Sequence, residues 1–139
     1  FYSPVLDGDL SKLNPALKKI GNGVFANNTK ITKFHGTQNL IAIGDEAFSG
    51  CTALAEVTFD PAITQMTIGA SAFYKCSKLS AIALPAGTTA IGESAFESAG
   101  LTTFVVPANV AILPKNVLKA TKITSINIRG FSEYSTFIN

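Results

Sequence analysis

Two apolar patterns alternate along the chain and repeat at a regular interval. The first is a hexapeptide of the form Ile-Gly-x-x-Ala-Phe. Its copies stand at residues 20–25, 43–48, 68–73 and 91–96, with a degenerate copy at 113–118. The copies begin 23, 25, 23 and 22 residues apart, and self-similarity at such a period is the signature of a repeat architecture. The sequence therefore predicts a solenoid of tandem units.

The second pattern follows each hexapeptide after five or six residues. Apolar side chains fill its first, fourth and sixth places. The fourth and sixth places are two residues apart, which is the spacing of side chains on one face of a β-strand, so the pattern predicts a short strand. Its copies lie at 54–59, 79–84, 101–106 and 123–128, and a weaker copy at 31–36 ends in Gly36 where a core side chain is expected. Pro85 and Pro107 directly follow two of the copies. Proline ends ladder pairing there because it has no amide hydrogen.

Together the patterns predict a leucine-rich-repeat type of solenoid with about five units of 21–25 residues. Each unit is a short parallel β-strand, followed by a turn or short helical return segment. A unit this small cannot bury its apolar face alone, so neighbours must stack to form one core. The glycine after each isoleucine is expected to supply a backbone conformation that a side chain would forbid. The phenylalanines that close the hexapeptides are expected to form an interior column: Phe25, Phe48, Phe73 and Phe96. The predicted units are 20–42, 43–67, 68–90, 91–112 and 113–128.

The combined pattern resembles the BspA-like type of leucine-rich repeat. It reads Ile-Gly-x-x-Ala-Phe-x-x-Cys-x-x-Leu-x-x-Ile-x-Leu-Pro and stands almost complete at 68–85. The resemblance covers about residues 20–128. It implies a right-handed, curved solenoid of the kind found mainly in bacterial surface and secreted proteins, with a role in adhesion. It also implies no catalytic residue, because the family shares none. The first and fifth units carry Asn28 and Thr121 at the cysteine position, which marks them as end repeats.

Composition and charge narrow the possible functions. The 139 residues are 47% hydrophobic and 14% charged, which is enough apolar material for a packed core. The 11 Lys and Arg and 9 Asp and Glu are scattered in ones and twos, so we expect no nucleic-acid partner. No apolar stretch approaches the roughly 18 residues of a membrane span, so we expect no membrane insertion. The chain begins with Phe1 and no leader follows, so we expect a mature or trimmed fragment.

Cys51 and Cys76 are the only cysteines, and both stand three residues after a hexapeptide phenylalanine. A disulfide or half of a metal site is one interpretation. Stacked units would give the two side chains parallel directions, which fit the dihedral angle of a disulfide badly. Two cysteines without paired histidines do not make a zinc site. We therefore predict reduced cysteines that act as small hydrophobes in a ladder between units, and no metal or cofactor.

His35 is the only histidine, and it lies on the strand side that faces away from the core. No nucleophile motif accompanies it, so we predict a solvated surface residue. The acids Asp45, Glu46 and Glu93 align on successive return segments, but nothing suggests the pocket that a glycosidase pair needs. The triplet 27–29 fits the acceptor pattern for N-glycosylation, which would matter only in a eukaryotic host. No enzyme is predicted.

The two ends match the repeat poorly. Residues 1–19 are expected to form an N-terminal cap, for which two interpretations are open. Asn14 and Pro15 could begin a short helix that Gly21 ends. Alternatively the Pro-Ala and Ile-Gly pairs of 15–21 echo those of 85–92, which favours a decayed repeat. Residues 129–139 are predicted to be a C-terminal cap with aromatic residues at a spacing of three, although a cut through a longer array would look the same.

The strand positions that point away from the core predict one continuous face. From the first unit to the fifth they are Lys33, His35, Glu56, Thr58, Ala81, Ala83, Thr103, Val105, Ser125 and Asn127. The middle of this face is small and mildly apolar, which suits a protein or extended peptide better than a small charged ligand. Lysines cluster in the return regions of units three and five, where solubility is the favoured role: Lys75, Lys78, Lys115, Lys119 and Lys122.

Three functions follow from these observations. The favoured one is a non-catalytic domain that mediates adhesion or protein binding outside the cell or at its surface. The second is a structural spacer that projects another domain and has no partner of its own. The third, a carbohydrate-active enzyme on a solenoid, needs clustered acids on the strand face, where only Glu56 stands.

Overall fold

Two short strands form in most repeats, and each pairs with its counterpart in the next repeat. The structure is a computed structural model that describes residues 8–123. The strands are β1 (Asp9–Leu10), β2 (Lys19–Ile20), β3 (Lys33–Gly36), β4 (Ala42–Ile43), β5 (Glu56–Phe59), β6 (Met66–Ile68) and β7 (Thr88–Ile91). They make two parallel sheets in the orders β1-β3-β5 and β2-β4-β6-β7. The described residues thus form a parallel β-solenoid, as the repeat predicted.

The first sheet contains two of the five predicted strands, β3 and β5, together with β1, which was not predicted, while 79–84 and 101–106 form no regular strand. Phe34 pairs with Val57 and both side chains are buried, while Lys33 pairs with Glu56 on the outer side. Gly36 is buried, and a Cβ at this position would lie only 2.7 Å from the ring of Phe59. The glycine of this weaker copy therefore makes room for an aromatic ring from the next unit. Residues 79–84 and 101–106 continue the same face outside the regular strands.

The second sheet was not predicted. Its strands end on the first residue of each hexapeptide, so that four isoleucines stand in register: Ile20, Ile43, Ile68 and Ile91. Three of these four strands have two or three residues, which is too short for an alternation signal to stand out. The ladder between β6 and β7 also contains a register shift at Met66 and Thr67.

The return segments are successive tight turns, one of the two forms that the sequence predicted, and not short helices, the other. Each return segment has nine residues, whose places we number one to nine. From the first segment to the fifth they are 20–28, 43–51, 68–76, 91–99 and 113–121. In the second return segment the amide of Ala47 donates to the carbonyl oxygen of Gly44 at 3.2 Å, and the amides of Ser49 and Cys51 close two further turns. The helical part of the prediction is therefore wrong.

Every second amide of a return segment donates to the next return segment instead. The amides of Glu46, Phe48 and Gly50 donate to the carbonyl oxygens of Ala70, Ala72 and Tyr74 at 2.8, 2.8 and 2.7 Å. The same bonds join the first segment to the second and the third to the fourth. Backbone amides and carbonyls must be paired when buried, so this ladder lets the return side of the solenoid stack as closely as the strand side.

Two residues in each return segment have a left-handed backbone. At the fourth place they are Gly23, Glu46, Ser71, Ser94 and Asn116, and at the eighth place Asn27, Gly50, Lys75, Ser98 and Ala120, with φ between 55° and 75°. A positive φ at the third residue of a turn is the requirement of a type II turn. Side chains other than glycine cost about 1–2 kcal/mol in this region, so stacking must offset that cost in every unit.

The glycine after each isoleucine has a different role from the predicted one. None of Gly21, Gly44, Gly69 or Gly92 has a positive φ. A Cβ on Gly69 would instead lie 2.5 Å from the Asp45 amide nitrogen and 2.6 Å from the Gly44 carbonyl carbon. Gly44, Gly69 and Gly92 are therefore needed because consecutive return segments approach each other too closely for a side chain, whereas a Cβ on Gly21 would meet only the Val24 side chain of its own segment, at 3.0 Å.

The predicted column of phenylalanines runs through the core. The rings of Phe25 and Phe48, Phe48 and Phe73, and Phe73 and Phe96 have centroids 5.3, 5.4 and 5.4 Å apart. The last two pairs are nearly parallel, with interplanar angles of 5° and 2°. The three inner rings are fully buried. Each ring fills one layer, so the aromatic spacing matches the backbone ladder beside it.

The N-terminal residues occupy the place of a rung. β1 pairs with β3 and β2 pairs with β4, as the strands of a preceding repeat would. Residues 14–17 form one turn, in which the amide of Leu17 donates to the Asn14 carbonyl oxygen at 2.9 Å and no helix begins. The predicted C-terminal cap, 129–139, lies outside the described residues, and the unit boundaries stay predictions.

We predict that relieving one left-handed position stabilises the protein. Ser98→Gly should raise the free energy of unfolding by about 0.5–1 kcal/mol, because Ser98 has a φ of 61° and glycine removes the steric cost. Thermal unfolding followed by circular dichroism measures the change. The matched control is Ser77→Gly, at a position without positive φ, which should lower stability slightly. Equal losses in both variants would contradict the interpretation.

Candidate binding surface

The outward side chains of the first sheet form a continuous exposed row. We call it the strand face and define it by Lys33, His35, Glu56, Thr58, Ala81, Ala83, Thr103 and Val105. All are exposed except the half-buried His35. Two further predicted residues, Ser125 and Asn127, lie outside the described part of the chain. The period-2 alternation thus brings eight of the ten predicted residues to one surface.

The strand face changes character along the solenoid. At its N-terminal side Lys33 lies beside Glu56 in the ladder, and the His35 Nδ1 is 2.8 Å from the Thr58 hydroxyl oxygen. Opposite charges and a hydrogen-bonded polar pair make this part hydrophilic. Farther along stand two alanines, Ala81 and Ala83, then Thr103 and a valine whose side chain is 66% exposed, Val105. The face can therefore offer both polar and apolar contacts to one extended partner.

A shallow apolar groove of about 360 Å³ adjoins the C-terminal part of the strand face. It is lined by Leu84, Ala86, Val105, Val106, Pro107, Ala108 and Val110. Val105 belongs to both features, so the groove extends the apolar half of the face sideways. A pocket that is apolar and shallow suits a side chain of a bound polypeptide better than a small polar metabolite.

Sequence reasoning missed a second exposed row, on the outer side of the second sheet. It comprises the exposed Lys19, Thr67 and Ala90 and the half-buried Ala42, and Ile112, which is 74% exposed, stands at the same repeat position beyond the last strand of the sheet. Each of these residues directly precedes the buried first residue of a hexapeptide, but only Thr67 has a buried residue on both sides, so no alternation marked the row in the sequence. We call this row the second face. It has fewer polar groups than the strand face and provides a matched comparison for it.

The cysteines are buried and free, and they take part in the core. The Cys51 thiol donates to the Phe25 carbonyl oxygen and the Cys76 thiol to the Phe48 carbonyl oxygen, each at 3.2 Å. Burial raises the pKa of the Cys51 thiol to about 11. Burial also raises the pKa of the Cys76 thiol, and the neighbouring Cys51 raises it further. Neither thiol is accessible as a nucleophile or metal ligand in the folded protein.

Of the acids considered for chemistry, Asp45 serves the backbone ladder. An oxygen of the Asp45 side chain accepts from the Ala70 amide at 2.9 Å, and the Asn22 side chain accepts from the Asp45 amide in the same way. Within residues 8–123, no group of three or more His, Cys, Asp or Glu side chains could hold a metal ion. The arrangement of Asp45 is that of a structural acceptor.

The clustered lysines are all exposed, and acids lie beside some of them. Glu93 and Glu97 occupy the third and seventh places of the fourth return segment, and Lys115 and Lys119 occupy the same places in the fifth. Opposite charges one rung apart break up a uniform basic ridge. In the described part of the chain, no helix has the length and apolar character to cross a membrane.

The BspA type leucine rich repeat region matches residues 18–137 in six copies. The chain belongs to this family. The match confirms the resemblance and places one more copy than the five predicted units. Comparison with curated proteins gives no match.

Solved structures resemble this BspA-type chain. A T. pallidum leucine rich repeat protein is 25% identical with a TM-score of 0.73, and the alignment covers 79% of this chain and 51% of that one. The chain therefore spans about half the length of that protein. A leucine rich cell surface protein from Faecalibacterium prausnitzii A2-165 is 24% identical with a TM-score of 0.43, covering 79% and 42%. A leucine-rich repeat protein from Bacteroides ovatus ATCC 8483 is 20% identical with a TM-score of 0.47, covering 80% and 40%.

We predict an alkaline loss of stability that depends on the cysteines. The pKa of a cysteine thiol is ordinarily about 9.0 and burial raises that of Cys51 to about 11, so the folded state favours the neutral thiol. The stability that the buried neutral thiol contributes is fully present below pH 9. It is lost as the pH rises from 9 through 11, because in this range the thiol ionises in the unfolded chain but not readily in the folded one. Denaturant unfolding across this range measures the loss.

The control for this experiment is the Cys51→Ala/Cys76→Ala variant. Ala99 occupies the same repeat position and is buried, so alanine is compatible with the ladder. The variant should show a smaller decrease of stability between pH 9 and 11 than the unaltered protein. An identical decrease in both proteins would assign the alkaline loss to other groups.

Proposed function

We propose that this chain is a non-catalytic protein-binding module that engages a protein or extended peptide through the strand face. The observation that carries the proposal is the row of exposed side chains that begins in register on β3 and β5 and continues at residues 81, 83, 103 and 105. Hydrogen-bonding groups at one end and an exposed valine beside an apolar groove at the other provide the mixed chemistry of a protein-binding surface. Leucine-rich repeats use extended sheet surfaces of this kind for recognition.

A location outside the cell or at the cell surface, and a role in adhesion, belong to the same proposal. They are supported by membership of the BspA-type family, because the resemblance to that family implies a surface or secreted protein. The absence of a catalytic role is supported by the strand face itself. Among the described residues the outward side of the first sheet carries two carboxylates, Glu56 and Asp9, with Lys33 between them in the ladder. Hydrogen bonds from Ser11 hold the pKa of the Asp9 carboxyl below its usual value, whereas a glycosidase pair needs one acid with a raised pKa. His35 contacts a threonine hydroxyl rather than an acid.

The alternative function is a structural spacer that projects another domain and binds nothing. Its support is the uniform stacking of the repeats, which does not depend on the residues at the exposed surfaces. A spacer requires no particular residues on either exposed row. The two functions therefore differ in what substitutions on the strand face should do.

We predict that the triple variant Glu56→Ala/Thr103→Ala/Val105→Ala loses partner binding. All three side chains are exposed, so the fold should be retained, while affinity for any partner should fall about tenfold or more, or about 1.4 kcal/mol. The measurement is binding to a panel of purified extracellular proteins by surface plasmon resonance.

The matched control carries three substitutions on the second face, Lys19→Ala/Thr67→Ala/Ile112→Ala. It should bind like the unaltered protein. Loss of binding in the control alone would move the interaction to the second face. Unchanged binding of every protein in both variants would contradict the proposal and favour the spacer.

A further inference from the structure

The first return segment contains the only Asn-Gly pair of the sequence, Asn22 and Gly23. Asparagine before glycine is prone to deamidation, because glycine has no side chain to keep the asparagine side chain away from the next backbone nitrogen. Both residues are exposed, and nothing lies within 4 Å of the position that a Cβ on Gly23 would take. Water therefore has free access to the pair.

Deamidation is a reaction between two groups of this pair. The Gly23 nitrogen bonds to the Asn22 Cγ, and the bond between Cγ and Nδ2 breaks. The leaving nitrogen takes the proton of the Gly23 amide and departs as ammonia. A water molecule then opens the cyclic imide at either of its carbonyl carbons, which gives aspartate or isoaspartate. The reaction therefore requires that the Gly23 amide give up its proton and that Cγ reach the amide nitrogen.

One residue of the second return segment holds both reacting groups. The Asp45 amide donates to the Asn22 Oδ1 at 2.9 Å, and the Asp45 carbonyl oxygen accepts from the Gly23 amide at 2.9 Å. The proton that must leave is thus in a ladder hydrogen bond, and the side chain that must turn toward the nitrogen is anchored to the next rung. Both contacts have to break before the ring can close.

We propose that Asn22 is a deamidation site that Asp45 protects in the folded protein and that opening of the first return segment exposes to reaction. Water is the co-reactant. Val24 in this segment is 57% exposed, whereas Ala47 at the same place of the second segment is fully buried. Local opening is easiest where buried apolar contacts are few, so the first segment opens more readily than the second.

The two products have different consequences for the ladder. At the same place of the second segment, the Asp45 carboxylate accepts from the Ala70 amide at 2.9 Å, as the Asn22 side chain accepts from Asp45. Aspartate at position 22 can therefore make the native contact. Isoaspartate adds a carbon to the main chain, which displaces the Gly23 amide from the Asp45 carbonyl oxygen. Reaction to isoaspartate thus prevents the first segment from closing again.

The proposal is tested by incubating the full chain at mildly alkaline pH, once folded and once in guanidinium chloride. Mass spectrometry follows the exchange of NH2 for OH in the tryptic peptide 20–30, which lies between Lys19 and Lys30. The folded protein should react at least about tenfold more slowly than the unfolded chain, because reaction waits for local opening. An equal or faster rate in the folded protein would overturn the proposal, since the Asp45 contacts would then not protect.

Two matched variants isolate the contribution of the Asp45 amide. Asp45→Pro and Asp45→Ala both remove the carboxylate, but only proline also removes the donor to Asn22. Proline suits the second place of a type II turn, and the third segment carries Ala70 at this place. The folded rate of Asp45→Pro should exceed that of Asp45→Ala about fivefold, the factor that one typical hydrogen bond contributes.

Circular dichroism shows whether both variants are folded. Equal folded rates in the two variants would contradict protection by the Asp45 amide. If Asp45→Pro fails to fold, the comparison of folded and unfolded rates in the unaltered protein decides the proposal by itself. Asn22→Asp, the harmless product, should unfold at nearly the same temperature as the unaltered protein, and a large decrease would contradict the assignment of the damage to isoaspartate.

Discussion

The stacking of the return segments is the constraint on which the other features depend. Each of the first three segments sends the amides of its fourth, sixth and eighth residues to the next segment, and the fourth segment sends those of its sixth and eighth, at 2.6–3.0 Å. Such one-way donation occurs with a left-handed residue at the fourth and eighth places. It also brings the backbones of the second, third and fourth segments so close to the preceding segment that glycine is needed at their second place, whereas the fifth segment carries Pro114 there. The repeated sequence is therefore a consequence of one hydrogen-bonding arrangement, and the phenylalanine column fills the layer spacing that it sets.

The same constraint shapes the surfaces that are available for function. Because every rung returns to the same position, the short strands stay in register and their outward side chains line two exposed rows. The strand face varies from polar pairs to an exposed valine beside a groove, although the core beneath it is uniform. A solenoid of this kind can change its recognition chemistry at outward positions without cost to the fold, since those side chains make few of the contacts that stabilise the rungs.

The sequence allowed part of this structure to be predicted, for identifiable physical reasons. The phenylalanines and the 31–36 and 54–59 strands follow from apolar periodicity, which burial imposes directly. The second sheet was missed because strands such as Ala42–Ile43 are too short for alternation to be distinguished from chance. The left-handed places were missed because Glu46, Ser71 and Lys75 have no common preference for that region. The role of Gly69 was mistaken because close approach and positive φ both select glycine.

The central claim is that amides of each return segment donate to the following repeat and not within a helix. Through-hydrogen-bond scalar couplings between nitrogen and carbonyl carbon, measured by NMR on labelled protein, test it directly. We predict couplings from the Phe48 nitrogen to the Ala72 carbonyl carbon and from the Phe73 nitrogen to the Ala95 carbonyl carbon. Couplings from Phe48 to Gly44, the pattern of a helical return segment, would contradict the account.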